Sequence, residues 1–432
     1  MLQLIFVCGI AFVVRVLLLE FNIACDWIGN RVEIITPVNS WQRLKEGVCL
    51  YDAGIWPYSG DVFHEPPLVL LLFHFLLKNW PLAVKYLHPI LDVLTAAILF
   101  EAAQLYFATK QKSQLKFYAA DVHSLLVKST DAERWPLLIA VGYLFNPYTI
   151  ACCVARTSTT LNNVLLALFL LLMVKDDMQA CAAVLALASY HSLYPLTLVV
   201  PFVLRFSYDM SQCKLVFWKL YLSVWSFAMC LVFLWLTSNW LVGPGWAQAT
   251  YGFQIFVPEL RPNVGIFWYF FTEMFDHFRL FFLAVFQLNI VVYLIPLALH
   301  LREDAVLLSH LLLLLTSIFK PHPSLGDAAL VLSCLPLWKH SFQYFRHSFV
   351  VGCALVCTTA LAPLMWHLWV YAGSANANFY FAVTLAFSTA QIFLMTDLFY
   401  SYMRRRLHLA YGLKPEIRDG SGQMKPAEVI LE

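Results

Sequence analysis

Charge is what this 432-residue chain has least of: Asp, Glu, Lys and Arg make up 12% of it, while hydrophobic residues reach 61%. Soluble domains carry about a quarter charged residues. A water-soluble surface cannot be assembled from so small a supply. Neither sign dominates, with 28 basic against 26 acidic residues, and no long Lys/Arg run is present, which excludes a nucleic-acid surface. The eleven cysteines are odd in number and scattered, mostly in apolar stretches as at Cys230 and Cys353, which excludes a disulfide framework. No Asn-x-Ser/Thr sequon occurs, so orientation has to be read from charge. No A-x-A-like cleavage site follows the apolar stretch Leu4 to Leu19, which therefore reads as a retained first span. No fixed-period repeat or internal linker divides the chain, and residues 1–403 read as one membrane domain.

What is present is apolar and aromatic. Fourteen Trp, twenty Tyr and thirty-five Phe suit membrane interfaces, where an amphipathic ring sits at headgroup level. Windows poor in charge and about one bilayer crossing long or longer run over 135–155, 157–174, 178–204, 220–260 and 280–301. Softer candidates cover 2–20, 64–79, 86–107, 304–319 and 325–338. The expected architecture is an all-α polytopic helix bundle of about ten to thirteen spans. The longest run without a charge, 347–396, is fifty residues. It would be about 75 Å long as one helix, more than twice a bilayer. It must turn back, and the turn chemistry lies at 371–378, YAGSANAN. The three arginines Arg404, Arg405 and Arg406 follow, placing the tail 404–432 in the cytosol and the hairpin 371–378 on the lumenal side. Residues 21–63 and 108–134 are the other long polar connections: 21–63 is expected to be a lumenal loop, and Lys110, Lys112, Lys116 and Lys128 place the 108–134 connection in the cytosol by the same charge rule.

Ionisable residues inside spans are functional candidates by default, because each is costly unless paired or hydrated. Arg15 either snorkels or is paired. Glu273, Asp276 and His277 stand at i, i+3 and i+4, which would gather two carboxylates and an imidazole on one helical face; a solvated helix end accounts for them as well. Lys320 and Asp327 flank a Pro321/Pro323 break. His64-Glu65 lacks the second helical histidine of a metalloprotease motif, and Pro66-Pro67 would interrupt the helix, so it reads as a structural loop. Cys152, Cys153 and His191 lie in apolar windows with nothing to lower a thiol pKa, which argues against a cysteine nucleophile. No metal site or cofactor is expected.

Four runs carry a resemblance: WPYSGDVFHE at 56–65, LFNPYTI at 144–150, NVGIFWYFF at 263–271 with Glu273-Met-Phe275, and HLWVYAGSANANF at 367–379. In this order they resemble the phosphatidylinositol-glycan class U family, multispan subunits of GPI transamidase. The resemblance implies an endoplasmic-reticulum membrane subunit that recognises or presents the glycosylphosphatidylinositol (GPI) lipid. It implies partner subunits, with the catalytic thiol on a separate caspase-like chain. Asn376 and Asn378, with Ser374 beside them, correspond to the family's lipid-contacting hairpin. Amide N–H groups can bond phosphate oxygens without the cost of a buried charge. Phe267, Trp268, Tyr269 and Phe270 would line acyl chains or stand with Glu273, Asp276 and His277 in a polar cluster.

The family also resembles lipid-linked mannosyltransferases of the endoplasmic reticulum, with their GT-C-like multispan layout, and this supplies a rival function. Those enzymes carry paired acids soon after the first span. Here that region reads RVEIITPVNS at 31–40, with Glu33 its only acid and Asp26 too far upstream. A non-catalytic, lipid-presenting subunit is therefore the expected function, mannosyl transfer the alternative and a transporter a distant third.

Overall fold

The computed structural model describes residues 2–114, 118, 121–209, 214–413, 416–418 and 424–426. Lys116 and most of the tail beyond Leu413 lie outside the described residues. The architecture is helical, and among the described residues strands are confined to two short antiparallel ribbons, 208–209 with 214–215 and 416–418 with 424–426. Among the described residues, six helices are long and apolar enough to cross a bilayer, and a bent pair makes a seventh. Shorter apolar helices at 67–79, 159–175, 194–207 and 305–319 pack beside them. The chain is a polytopic membrane bundle.

Helix α1 (Leu2–Glu20) leads into α2 (Asn22–Ile28) and α3 (Trp41–Asp52), so the polar loop expected over 21–63 is partly helical. Pro67 and Pro81 open α4 (Pro67–Asn79) and α5 (Pro81–Ser113) at first-turn positions, where a missing N–H costs nothing. The soft window at 64–79 thus starts as helix only at Pro67, and His64 and Glu65 belong to the preceding loop. The window 135–155 is not one straight span. It is split into α6 (Ser129–Leu144) and α7 (Pro147–Val154), bent by 46°. Pro147 cannot donate to the previous turn, and Asn146 caps the new helix by accepting from the Tyr148 N–H at 2.9 Å.

After α8 (Thr159–Lys175), the window 178–204 is broken in the same way into α9 (Met178–His191) and α10 (Val199–Ser207), with a 3₁₀ turn at Pro195 between them. Then come α11 (Phe217–Val242), the short α12 (Phe253–Phe256) and α13 (Phe267–Glu273), and α14 (Asp276–Val292) with α15 (Leu294–His300). The remaining helices are α16 (Ala305–Phe319), α17 (Leu325–Cys334), α18 (Ser348–Val370) and α19 (Ala377–Tyr411). The last pair is the hairpin that the uncharged run demanded. Helix α19 carries Arg404–Arg406 inside its final turns and ends only at Tyr411.

Two ends of the bundle can be told apart by their bonds. At one, Lys110 pairs with Asp304 at 2.7 Å, Arg406 with Glu303 at 2.5 Å, and Arg405 donates to the Leu125 carbonyl at 2.9 Å. At the other, a non-helical plug over residues 31–40 is pinned between helix starts: the Leu325 N–H donates to Glu33 O at 3.0 Å and the Ser158 N–H to Asn39 O at 3.2 Å. Between the ends, Arg15 is fully buried and paired with buried Asp92 at 2.7 Å. The Tyr143 hydroxyl also donates to Asp92, at 3.2 Å, and the Arg15 guanidinium to Thr149 Oγ1 at 3.3 Å. Of the two readings open for Arg15, pairing holds. One ionic knot therefore ties α1, α5, α6 and α7 in the middle of the bundle.

Candidate functional site

The α18–α19 hairpin is built by local chemistry. Helix α18 ends as the Tyr371 and Ala372 N–H groups both donate to the His367 carbonyl at 3.0 Å. Gly373 then takes φ +64°, a left-handed conformation open to glycine, which lets the Ser374 N–H return to Leu368 O at 3.0 Å. Asn376 starts α19 as its N-cap: its Oδ1 accepts from the Asn378 N–H at 3.1 Å. Asn378 Oδ1 in turn accepts from the Tyr269 hydroxyl. Both amide oxygens are therefore spent inside the protein. Among the described residues neither amide nitrogen has a partner, and both asparagines are exposed with Ser374 beside them. The tip presents a pair of free N–H₂ donors, a set suited to phosphate or hydroxyl oxygens, with the exposed Glu273 carboxylate against the Tyr269 hydroxyl beside them.

Under this tip lies an aromatic floor. Tyr269 stacks on Phe381 at 4.4 Å, and Trp268 meets Tyr380 at 6.0 Å and lies parallel to Trp369 at 6.1 Å. Trp268 and Phe267 are buried, Trp268 against Val32, Ala362, Tyr380 and Val383, and Phe267 against Val257, Phe271 and Leu283. These two back the site from inside the bundle; Tyr269 and Phe270 are the half-exposed members of the run.

The expected Glu273, Asp276 and His277 face does not form. Helix α13 stops at Glu273, Met274 and Phe275 are extended with ψ 145° and 135°, and α14 starts afresh at Asp276. The break removes the i, i+3, i+4 geometry, and all three side chains are exposed. Lys320 and Asp327 do meet, at 2.6 Å across the Pro321/Pro323 break, because Asp327 is drawn back to cap α17 by accepting from the Ser324 N–H at 2.8 Å. Cys152 and Cys153 are sealed inside the bundle.

Sequence reasoning read Glu33 only as a lone acid short of a catalytic pair, and passed over Tyr380. Glu33 is 3% exposed, its carboxylate has no hydrogen-bond partner among the described residues, and burial pushes its pKa up against the opposing pull of Arg31, 3.9 Å away. The Tyr380 hydroxyl and Trp268 indole N–H are likewise buried without partners among the described residues. No spacing pattern connects the 31–33 segment with Trp268 and Tyr380. The Tyr269 bond also yields a test: Tyr269→Phe leaves the packing but releases the Asn378 carboxamide, and GPI attachment should fall about three- to tenfold as one positioning bond of about 1 kcal/mol is lost. Flow cytometry of a GPI-anchored reporter in cells lacking the native subunit measures it; an unchanged signal would remove Tyr269 from the site.

The family model "GPI transamidase subunit PIG-U" matches residues 9–387, which includes the whole hairpin. The chain belongs to the PIG-U family. Among curated relatives, the human "GPI-anchor transamidase component PIGU" is 42% identical over 98% of both chains. The Cricetulus griseus protein of the same name is 42% identical over 96% of this chain and 97% of its own. The more distant "GPI transamidase component GAB1" of Saccharomyces cerevisiae is 29% identical over 87% of this chain and 88% of its own. As a PIG-U family member the chain is a GPI transamidase subunit, and the family match over 9–387 runs from α1 into the first turns of α19.

Proposed function

We propose that this subunit recognises the GPI lipid at the 371–378 hairpin and holds its headgroup for a catalytic chain that carries the thiol, a caspase-like partner, without itself performing chemistry. The observation that carries the reading is the donor pair: the Asn376 and Asn378 oxygens are engaged internally, leaving both N–H₂ groups free beside an aromatic floor. Phosphate diesters of ethanolamine and inositol offer the acceptors such donors want, at a membrane surface where a lipid headgroup lies. The donors carry no charge, so an empty site costs little in the bilayer interface. The setting is the endoplasmic-reticulum membrane, with the hairpin lumenal and the Arg404–Arg406 end cytosolic. Support comes from the gathering of Lys110, Arg405 and Arg406 at the opposite end of the bundle. Residues 1–403 act as one membrane domain in this reading.

The deciding experiment is lipid analysis of cells without the chain. Complete GPI together with uncleaved proproteins is the expected result. An incompletely mannosylated GPI intermediate would overturn the proposal and restore the glycosyltransferase.

A further inference from the structure

The hairpin leaves unexplained a second polar feature at the same end of the bundle. Behind the 31–40 plug lies a cavity of about 50 Å³, into which Glu65, Asn162, His191, Lys320, His322 and Asp327 project. They come from five separate segments: the loop before α4, the first turn of α8, the end of α9, the Pro321/Pro323 break and the start of α17. Glu65 is 4% exposed, and His191 and His322 are each 7% exposed. Among the described residues, Glu65 Oε1, Asn162 Oδ1, His191 Nδ1 and both ring nitrogens of His322 have no hydrogen-bond partner. Glu65 Oε2 stands 3.6 Å from His191 Nδ1, too far for a good hydrogen bond. Folded proteins leave few buried polar groups unmet, so this concentration in one cavity marks a place where a guest supplies the partners.

The character of the lining selects the guest. Lys320 and Asp327 neutralise each other at 2.6 Å. Burial pushes the Glu65 carboxyl up to about 8 and His322 down to about 3, so both are uncharged at neutral pH. An anion or ammonium would bring charge that nothing in the cavity balances. A hydroxyl group both donates and accepts, as do a neutral carboxyl, a neutral imidazole and a carboxamide. The free space holds about three or four water-sized groups, enough for two or three hydroxyls on one edge of a ring but not for a whole hexose. The plug joins this cavity to the hairpin site, with Val32 packed on Trp268 and Tyr380 at one side and Thr36 and Asn39 lining the cavity at the other.

We propose that this cavity is a polyol subsite that takes a hydroxyl-bearing edge of a sugar or inositol ring in the GPI glycan, which rests on the hairpin reading for the identity of the lipid. The test uses the complete complex in phosphatidylcholine nanodiscs and two probes, the radiolabelled acyl-free trimannosyl-glucosaminyl-inositol glycan and intact GPI, each followed by equilibrium binding. Saturable glycan binding is expected, weakened at least tenfold by Glu65→Ala in complexes that still co-purify their partner chains. His322→Ala and Asn162→Ala, on separate segments, repeat the measurement if Glu65→Ala does not assemble. No saturable glycan binding by the parent complex, which would leave only water in the cavity, overturns the proposal. Unchanged glycan binding in the assembled variants does the same. Asn376→Leu/Asn378→Leu should lose intact GPI yet keep acyl-free glycan within about twofold. If that hairpin variant retains intact GPI, the hairpin reading fails, so the two failures are read from different probes.

Discussion

Replacing Asn376 and Asn378 together by leucine is expected to lower the apparent affinity for GPI about a hundredfold while leaving the subunit assembled with its partners. The magnitude follows from losing two hydrogen bonds to charged phosphate oxygens, about 1.5 kcal/mol each at the low end, with each 1.4 kcal/mol worth a factor of ten. Assembly survives because both side chains are exposed and their internal bonds, the N-cap of α19 and the Tyr269 contact, stay within the hairpin and the aromatic run beside it. Losing that cap costs about 1 kcal/mol. Aspartate separates the two roles. Asn376→Asp keeps a good cap but replaces a donor with a negative charge, so helix α19 should persist while GPI attachment falls. Reporter attachment and co-purification of partner chains, measured in the same cells, give both readouts. Full attachment in the double-leucine variant would sink lipid contact at the hairpin, and loss of assembly would turn the hairpin into a purely structural element.

Removing one partner of the Arg15–Asp92 pair should have the largest effect on stability. Asp92→Ala leaves a guanidinium that is fully buried with only Thr149 and the Ala11 carbonyl near it, at 3.3 and 3.4 Å. The expected cost is about 4 kcal/mol, the range for an uncompensated buried charge. Removing both charges, as Arg15→Leu/Asp92→Leu, should recover most of that loss, because the desolvation penalty goes with them. Thermal unfolding of the purified complex in detergent distinguishes the cases. Equal destabilisation by single and double replacements would mean that the knot acts through shape and not charge.

Glu65 gives a smaller effect with a definite pH dependence. Its folded-state pKa, raised from 4.5 to about 8 by burial, means that the native protein holds a proton the unfolded chain releases. Folding stability from this group is therefore complete below pH 4.5 and is lost as pH rises towards 8. Glu65→Gln keeps the shape and cannot ionise. Its stability advantage over the parent should be absent near pH 4, reach about 3 kcal/mol by pH 7 and level off above about 8. A constant offset across the pH range would contradict a protonated native Glu65.

How much of this was legible beforehand depends on the distance over which the cause acts. The hairpin was legible because its cause is local: fifty residues without charge exceed one bilayer crossing, and Gly373 and Asn376 supply the turn and cap. Family membership was legible from runs of consecutive residues. The broken spans were only half legible. Pro147 and Pro195 stand in plain view, but membrane helices often carry proline unbroken, as α18 does with Pro363 and α5 with Pro89, so the break depended on neighbours. The Glu273, Asp276 and His277 face failed because helical periodicity was assumed across Met274 and Phe275, where the chain is extended.

The sequence by itself determined the medium, the obligatory turn, the end that gathers positive charge and the family. Each follows from composition or from residues a few positions apart, where the physics is transfer free energy and local backbone preference. Only the tertiary structure decided that Arg15 finds Asp92 77 residues away. It also decided that Tyr269 takes up the Asn378 oxygen from 109 residues away, and that five segments turn their polar groups to one cavity. Those pairings are choices among many partners of equal chemistry. Packing makes them, because only the assembled bundle fixes which polar groups are shut away from water together.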